Sequence, residues 1–185
     1  EVFKGTSDSL GRVEVRLKNG TTYVWNAEIQ DYFPASGYLD LVSASGAPGS
    51  TIKLREHIAM RTMSDVLESG EPIRINNIFF DFDSDRLRPE SVRQLTNLAD
   101  LLNKYPAFGV KVQAHTDDVG QDPYNLDLSR RRAASVVRYM VNAGFTPSRI
   151  QSEGYGESMP AVANDTPEHR QFNRRVEFTF FPMSN

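Results

Sequence analysis

The feature that most constrains the fold of this chain is a change of hydrophobic pattern after Gly70-Glu71-Pro72. Before this point, apolar and polar residues mostly alternate one by one, as in half-buried strands. After it, short apolar segments alternate with longer ones whose apolar residues recur every three or four positions, as in helices. The predicted strands of this second part cover residues 73–80, 110–114, 149–153 and 176–181, and the predicted helices cover 89–103, 129–143 and a segment that begins at 166–168.

This order of elements predicts a sheet that is backed by helices. The elements follow one another as βαβα-β-(α)-β, and a helix that joins two parallel strands crosses over with right-handed geometry. Pro106 and Gly144 are typical stops for the first two helices, and Pro167 is typical of the first position of the third. The predicted fold class is therefore α+β, preceded by a smaller all-β module.

The first part of the chain is interpreted as that β module, which divides the chain into domains at 1–70 and 71–185. Its predicted strands cover 13–17, 23–29 and 38–42, with a turn at Asn19-Gly20 and a loop at 43–50. About 70 residues make only a marginal hydrophobic core, which favours a β-sandwich-like module that belongs to a larger β domain.

Composition and charge exclude several classes of function. The 185 residues carry a formal net charge of −3, so no general attraction to nucleic acid is expected. There is no cysteine, which excludes disulfides and thiolate metal sites. No apolar run reaches the roughly 18 residues that a membrane-spanning helix needs. Because the chain begins at Glu1 and not at Met, we expect it to be processed or a fragment, with any membrane anchor outside it.

Polar residues between the second predicted strand and the second predicted helix indicate a ligand site. Asp117 follows the strand, and Arg132 is expected in the first turn of the helix that is predicted to begin at Ser129. A carboxylate accepts hydrogen bonds from an ammonium group, whereas a guanidinium binds a carboxylate through two parallel hydrogen bonds. A helix N-terminus adds a partial positive charge. The pattern therefore predicts a small zwitterionic ligand that resembles an amino acid.

Residues around this pair allow more than one interpretation. In the predicted helix 129–143, the apolar stripe consists of Ala133, Val136, Val137 and Met140. Helix geometry places Arg132 at the edge of this stripe, whereas Arg131 points away from it and is expected to be solvated. Asn125 and Ser129 are both candidates to cap the helix. Asn125 is equally suited to a hydrogen bond within the loop or to a ligand contact, and the sequence alone leaves these alternatives open.

Several further motifs occur in a fixed order through the second part of the chain. These motifs are Asn77-Ile78-Phe79-Phe80-Asp81-Phe82-Asp83, His115-Thr116-Asp117, Asn125-Leu126-Asp127-Leu128-Ser129-Arg130-Arg131-Arg132-Ala133, Gly154-Tyr155-Gly156-Glu157 and Asn173-Arg174-Arg175-Val176-Glu177. Together they resemble an OmpA-like peptidoglycan-binding domain, and the resemblance extends over residues 73–180.

This resemblance implies a ligand, a set of binding residues and a location. The family binds the diaminopimelate of peptidoglycan peptide stems non-covalently, through residues that match Asp117 and Arg132. Asn125, Asp81 and Arg174 match positions that commonly line the same site. The implied function is to tether the outer membrane or an envelope protein to the cell wall in the periplasm, without catalysis, cofactor or metal.

Two positions depart from the family pattern, and the first 70 residues are less familiar. Ala114 stands where the family more often has Gly. Val119 replaces a side-chain hydroxyl that some members carry, so a contact there has to come from the backbone or is missing. Residues 37–41 are similar to small β-sandwich repeats that precede this domain in some Bacteroidetes-type envelope proteins, and residues 71–81 also fit that lineage.

A calcium-binding loop is a competing interpretation for residues 81–85. The alternating aspartates imitate the start of such a loop, but Arg86 stands at its Gly position and Val92 at its Glu position. Asp83 and Asp85 are therefore predicted to form a turn and a cap before the helix.

An enzyme and a protein-interaction module are the two alternatives to a wall tether. For an enzyme, the chain offers no Gly-x-Ser-x-Gly, phosphate-loop or HExxH motif, and a histidine in the position of His115 is more often structural than a catalytic base. For a protein-interaction module, the candidates are the aromatic residues of the β module, which are more often core than binding surface. Those residues are Tyr23, Trp25, Tyr32 and Phe33.

Overall fold

The computed structural model describes residues 4–18, 20, 22–29, 32–33, 35–41, 54–69, 71–75, 78–81 and 83–183. Its strands are β1 (Thr22–Ala27), β2 (Ala35–Asp40), β3 (Ile73–Ile75), β4 (Phe108–His115), β5 (Ile150–Gly156) and β6 (Val176–Pro182). Its helices are α1 (Met63–Ser69), α2 (Pro89–Asn103), α3 (Asp122–Asn142) and α4 (Pro167–Asn173), with a 3-10 turn at Pro147–Arg149. The mixed α+β class predicted from the sequence is confirmed.

The main sheet has four strands in the order β3-β6-β4-β5. β4 pairs in parallel with β5, and β6 lies antiparallel between β3 and β4. The register between β4 and β5 shifts between Ala114 and His115, where the two strands approach the candidate site. The parallel pair is joined through α3, as the order of predicted elements required.

The hydrophobic core lies between this sheet and the helices α2 and α3. Apolar side chains recur at helical spacing on both helices and on alternate positions of the strands, which gives each element one buried face. Each fully buried aliphatic or aromatic side chain stabilises the fold by about 1.5–3 kcal/mol before entropic costs. The residues with no exposed surface include Leu95, Leu98, Val110, Val112, Ala133, Val136, Met140 and Phe178. Val92 has the apolar spacing of the buried residues of α2, but it is exposed.

A glycine allows α3 to contact the end of β5 closely. A Cβ atom on Gly154 would lie 2.2 Å from the backbone nitrogen of Arg130, which is closer than any real contact. The missing side chain therefore permits the backbones of helix and strand to touch. This contact positions the first half of α3 beside the loops that carry the candidate site.

Helix α3 begins earlier than the sequence predicted. It starts at Asp122 and not at Ser129, after the extended residue Gln121. Pro123 occupies one of the first two positions, where a helix N–H has no partner in any case, so proline starts the helix without cost. Asn125 and Ser129 therefore lie inside the helix and do not cap it. Arg132 is also not in the first turn, so the partial charge of the helix N-terminus does not act there.

Residues 26–37 and 57–185 form one of two compact units. Phe33 belongs to the core of this unit, with its ring centroid 4.9 Å from that of Phe180. Helix α1, which periodicity did not predict, buries Met63 and Val66 in the same core. Its sequence signal is a capping box, because Thr62 and Asp65 exchange hydrogen bonds at the start of the helix.

The other compact unit contains residues 1–25 and 38–56. Its predicted strand at 13–17 is wrong, since residues 12–18 have no regular secondary structure. Val13 and Val15 remain exposed, so the alternating pattern has no core face against which to bury. Asn19, residues 42–53, Gly70, Asn77 and Phe82 lie outside the described residues, and so do the turn, loop and motif predictions that depend on them. The division into domains at residue 70 stays a prediction.

In the part of the chain that the structure describes, no helix is both long and apolar enough to cross a membrane.

Candidate functional site

The candidate site lies where β4 ends and the chain leaves the sheet. Asp117 follows the last residue of β4 by two positions and is only 7% exposed. One of its carboxylate oxygens accepts a hydrogen bond from the backbone nitrogen of Val119 at 3.2 Å, and the other pairs with the guanidinium of Arg174. Thr116 donates its backbone N–H to the carbonyl of Gly156 at 2.9 Å. The end of β5 therefore anchors the segment that presents Asp117.

Arg132 reaches the same region from α3. Its Nε donates to the backbone carbonyl of Ser84 at 2.9 Å, and its guanidinium lies 5.0 Å from the ring centroid of Phe80. Burial lowers the pKa of Arg132, and repulsion from the nearby charge of Arg174 lowers it further. Attraction by Asp117 acts in the opposite direction. Asp83 attracts Arg132 in the same way as Asp117, so Arg132 lies close to charges of both signs.

Arg174 approaches from the end of α4 and is the most exposed of the three side chains. It pairs with both Asp117 and the side-chain oxygen of Gln171. Among the described residues, no carboxylate forms an ion pair with Arg132. Arg132 therefore differs from Arg174, which pairs with Asp117, and its guanidinium suits a ligand with a carboxylate.

Asn125 lies beneath this cluster and is 2% exposed. Its side-chain nitrogen donates to the backbone carbonyl of Asp117 at 3.3 Å and to the carboxylate of Glu157. The structure therefore brings Asn125 to the site through the backbone of Asp117 and through a residue that follows β5.

Asp81 is held in a different set of contacts. Its carboxylate lies 3.4 Å from Nε of Arg88 and 3.8 Å from Nε of Arg86, and its backbone nitrogen donates to the carbonyl of Arg86. The structure thus places Asp81 in an exposed ion cluster before α2, and it shows no ion pair between Asp81 and Arg132 or Arg174 in the described part of the chain.

Two residues near the site were not singled out as candidates. Tyr124, in the first turn of α3, donates its hydroxyl to Asp83, which raises the pKa of the phenol. Asp83 has a left-handed backbone with φ 52°, which an aspartate tolerates in a turn. Glu157 is the acceptor for Asn125. Glu157 belongs to a motif that the sequence already displayed, whereas no sequence signal points to Tyr124.

A buried polar network lies close to Asp117 in sequence, at the end of β4 and the start of β6. His115 is 2% exposed and stacks on Tyr155 with ring centroids 5.3 Å apart. Its Nε2 lies 3.7 Å from the carboxylate of Glu177, which also accepts a 2.6 Å hydrogen bond from Nε of Arg175. This network is enclosed beside the end of β4.

The described residues contain no group of three or more acidic or histidine side chains arranged to hold a metal ion. The aspartates that imitate a calcium loop have other partners. Asp83 accepts from Tyr124, and Asp85 accepts from Ser135 and pairs with Arg131. Both lie in the turn before α2, but the residue that caps this helix is Arg88, so their predicted capping role is wrong.

Comparison with known proteins identifies the class to which this fold and site belong. The OmpA family matches residues 79–174, more than half of the chain, and the chain belongs to this family. The match covers α2, β4, α3 and β5 together with the segments that carry Asp117, Arg132 and Arg174.

Individual relatives agree with this assignment. The chain is 48% identical over 101 residues to outer membrane porin F of Pseudomonas fluorescens, across 55% of this chain and 31% of the porin. It is 36% identical over 101 residues to the peptidoglycan-associated lipoprotein of Rhizobium meliloti, across 55% of this chain and 57% of the lipoprotein. The chain thus spans less than two thirds of the length of either relative.

A solved structure shows the same fold. The putative MotB-like protein from Desulfovibrio vulgaris superposes with a TM-score of 0.56 at 30% identity, over 62% of this chain and 74% of that structure. The relatives are proteins of the outer membrane and cell wall, which confirms the predicted location in the periplasm, associated with both.

Proposed function

We propose that this chain binds the peptide stem of peptidoglycan non-covalently and thereby tethers the outer membrane, or an envelope protein, to the cell wall. In this proposal the ligand group is diaminopimelate. Asp117 accepts from its ammonium, and Arg132 binds its carboxylate. Arg174 lines the same site, and Asn125 and Asp81 are the further residues that we assign to it. The site binds its ligand without turnover.

One observation carries the proposal: Arg132 has no carboxylate partner among the described residues, yet it lies in the same charged cluster as Asp117. A cation that is partly buried, fixed by Ser84 and Phe80, and still without an anionic partner is suited to a ligand carboxylate. The name of the lipoprotein from Rhizobium meliloti supports peptidoglycan as the source of that ligand.

Co-sedimentation with purified sacculi tests the site. Asp117→Ala and Arg132→Ala are each expected to weaken binding by about 2–5 kcal/mol, because the remaining partner keeps a desolvated charge that nothing matches. Asp118→Ala and Arg130→Ala are the controls, since Asp118 is exposed and pairs with Arg170, and Arg130 is exposed on the same helix. If both site variants sediment with sacculi as the wild type does, the site is assigned to the wrong residues.

A second comparison tests the ligand group. Soluble peptide stems with diaminopimelate or with lysine at the same position differ in one carboxylate. Binding to the lysine stem should be weaker by at least about tenfold, because Arg132 then has no anion to bind. Equal affinities would leave wall binding in place and overturn diaminopimelate as its determinant.

A further inference from the structure

We infer that Asn125 and Glu157 form a latch that positions Asp117, and that both act on the ligand only through Asp117. The inference rests on the function proposed above. The latch joins three parts of the fold: the loop after β4, the first turns of α3 and the turn after β5. Its two hydrogen bonds run from the Asn125 amide nitrogen to the Asp117 carbonyl and to the Glu157 carboxylate.

Asn125 has no free donor to offer a ligand. A primary amide nitrogen carries two hydrogens, and the two bonds of the latch use both. Its side-chain oxygen faces Gly120, where an added Cβ would lie 3.3 Å from it. With 2% of its surface exposed, the side chain is also covered by the residues that it holds. Asn125 is therefore a positioning residue.

The same face of α3 holds the end of β5 through a second residue. Ser129, one helical turn after Asn125, accepts a 2.8 Å hydrogen bond from the backbone nitrogen of Gly156. Residues four apart on a helix share one face, so Asn125 and Ser129 both face the end of β5. Glu157 directly follows Gly156, and the hydrogen bond between Gly156 and Ser129 places the Glu157 carboxylate within reach of Asn125.

This arrangement fixes the Asp117 carboxylate in advance of binding. The latch holds the backbone carbonyl of Asp117, and the backbone nitrogen of Val119 holds its carboxylate at 3.2 Å. A side chain that is already ordered loses less entropy when the ligand binds. Loss of the latch should therefore weaken binding even though every ligand contact remains.

In the latch, Glu157 serves as a hydrogen-bond acceptor for Asn125, and its charge is not required for ligand binding. Two substitutions at this position test the distinction. Glu157→Gln keeps an acceptor for Asn125, so its affinity for a soluble diaminopimelate stem should stay within about twofold of wild type. Glu157→Ala removes the acceptor and leaves an amide hydrogen unsatisfied, which should weaken binding by about three- to tenfold. Equal losses in both variants would mean that the charge of Glu157 contacts the ligand, and the inference would be wrong.

A reciprocal exchange tests Asn125 itself. Asn125→Asp replaces the donor with an anion that repels both partners, and it should weaken binding by about tenfold or more. Adding Glu157→Gln supplies an amide donor to the carboxylate introduced at position 125 and should recover at least about a third of the lost factor. Gln121→Glu is the control, because it adds the same charge at an exposed position one turn earlier. Binding by Asn125→Asp at the wild-type level, or no recovery in the double variant, would overturn the latch.

The outcomes separate this inference from the function on which it rests. If Asp117→Ala binds the stem as well as the wild type, the proposed function fails. If Asp117→Ala loses binding while Asn125→Asp retains it, only the latch fails. Circular dichroism melting of each variant defines a temperature at which all are folded. If Asn125→Asp does not fold at any temperature, the two Glu157 variants decide the question.

Discussion

At the scale of single residues, the site depends on how Arg132 is held. Its Nε is committed to the carbonyl of Ser84, and its plane lies over the ring of Phe80. Among the described residues, these contacts orient the remaining guanidinium nitrogens and leave them available to an anion. A planar fork that is oriented in this way recognises a carboxylate by geometry as well as by charge.

Lysine at this position should therefore not replace arginine. Arg132→Lys keeps the charge but removes the fork and the Nε donor, so we expect the dissociation constant for a diaminopimelate stem to rise by about tenfold. Isothermal titration calorimetry measures the change, with Arg130→Lys on the same helix as the control. Unchanged binding by Arg132→Lys would show that a point charge is sufficient.

The two positions that depart from the family pattern have different consequences. Ala114 is buried in the core, so its methyl group concerns packing of β4 and not the ligand. Val119 exposes its side chain, while its backbone nitrogen donates to Asp117. The backbone at position 119 thus holds the carboxylate of Asp117, and a ligand contact from this position stays a prediction.

At the scale of elements, the helices that could be predicted from the sequence are those whose hydrophobic pattern repeats over several turns. Helix α2 begins and ends where its apolar stripe and its flanking prolines indicated. The start of α3 was missed because its first turns are polar and carry no apolar stripe. Helix α1 was missed because a seven-residue helix depends on tertiary packing, here of Met63 and Val66.

In the candidate site, the proximity of Asp117 and Arg132 could be predicted from the sequence, whereas the contacts of Arg174 and Asp81 could not. A strand end and the next helix lie side by side in a βαβ unit, which brings Asp117 near Arg132. The ion pair between Asp117 and Arg174 joins residues that are distant in sequence, and only the folded sheet brings them together. The contacts of Asp81 with Arg86 and Arg88 likewise depend on the local turn.

The contact between α3 and β5 can be tested at Gly154. In Gly154→Ala the new methyl group would overlap the backbone of α3, so the helix must move away from the strand. Overpacking of this kind costs about 1–3 kcal/mol, and we expect the free energy of unfolding to fall by that amount. Urea denaturation measures it, with Ser152→Ala, an exposed position on β5, expected to stay within about 0.5 kcal/mol of wild type. Equal stability of the two variants would contradict the close contact.

At the scale of the compact unit formed by residues 26–37 and 57–185, a buried stabilising cluster and the proposed ligand site lie at opposite ends of β4. Near its start, Arg149 is 8% exposed and donates to the carbonyls of Leu102, Tyr105 and Phe108. Burial lowers the pKa of this guanidinium, which lies 4.8 Å from the ring centroid of Phe145. Asp117, the proposed ligand contact, lies just beyond the end of β4. Eight residues of strand separate the two ends by about 25 Å.

This separation predicts that the free energy of unfolding and the affinity for the ligand can be changed independently. Arg149→Met keeps most of the side-chain volume but leaves three carbonyls without their donor, so the free energy of unfolding should fall by about 2–3 kcal/mol. Because sites this far apart contribute nearly additively, the folded variant should bind a diaminopimelate stem within about twofold of wild type. Asp117→Ala should show the reverse, with binding lost and stability changed less than in Arg149→Met.

Chemical denaturation and calorimetry on the same preparations measure both quantities, and Arg130→Met serves as the control for removing a charge. A loss of binding in Arg149→Met under conditions where it is fully folded would contradict this independence. Such a result would mean that β4 transmits strain along its length to the loop that carries Asp117. The polar network of His115, Glu177 and Arg175 lies beside that end of the strand and would then be the first place to look for the connection.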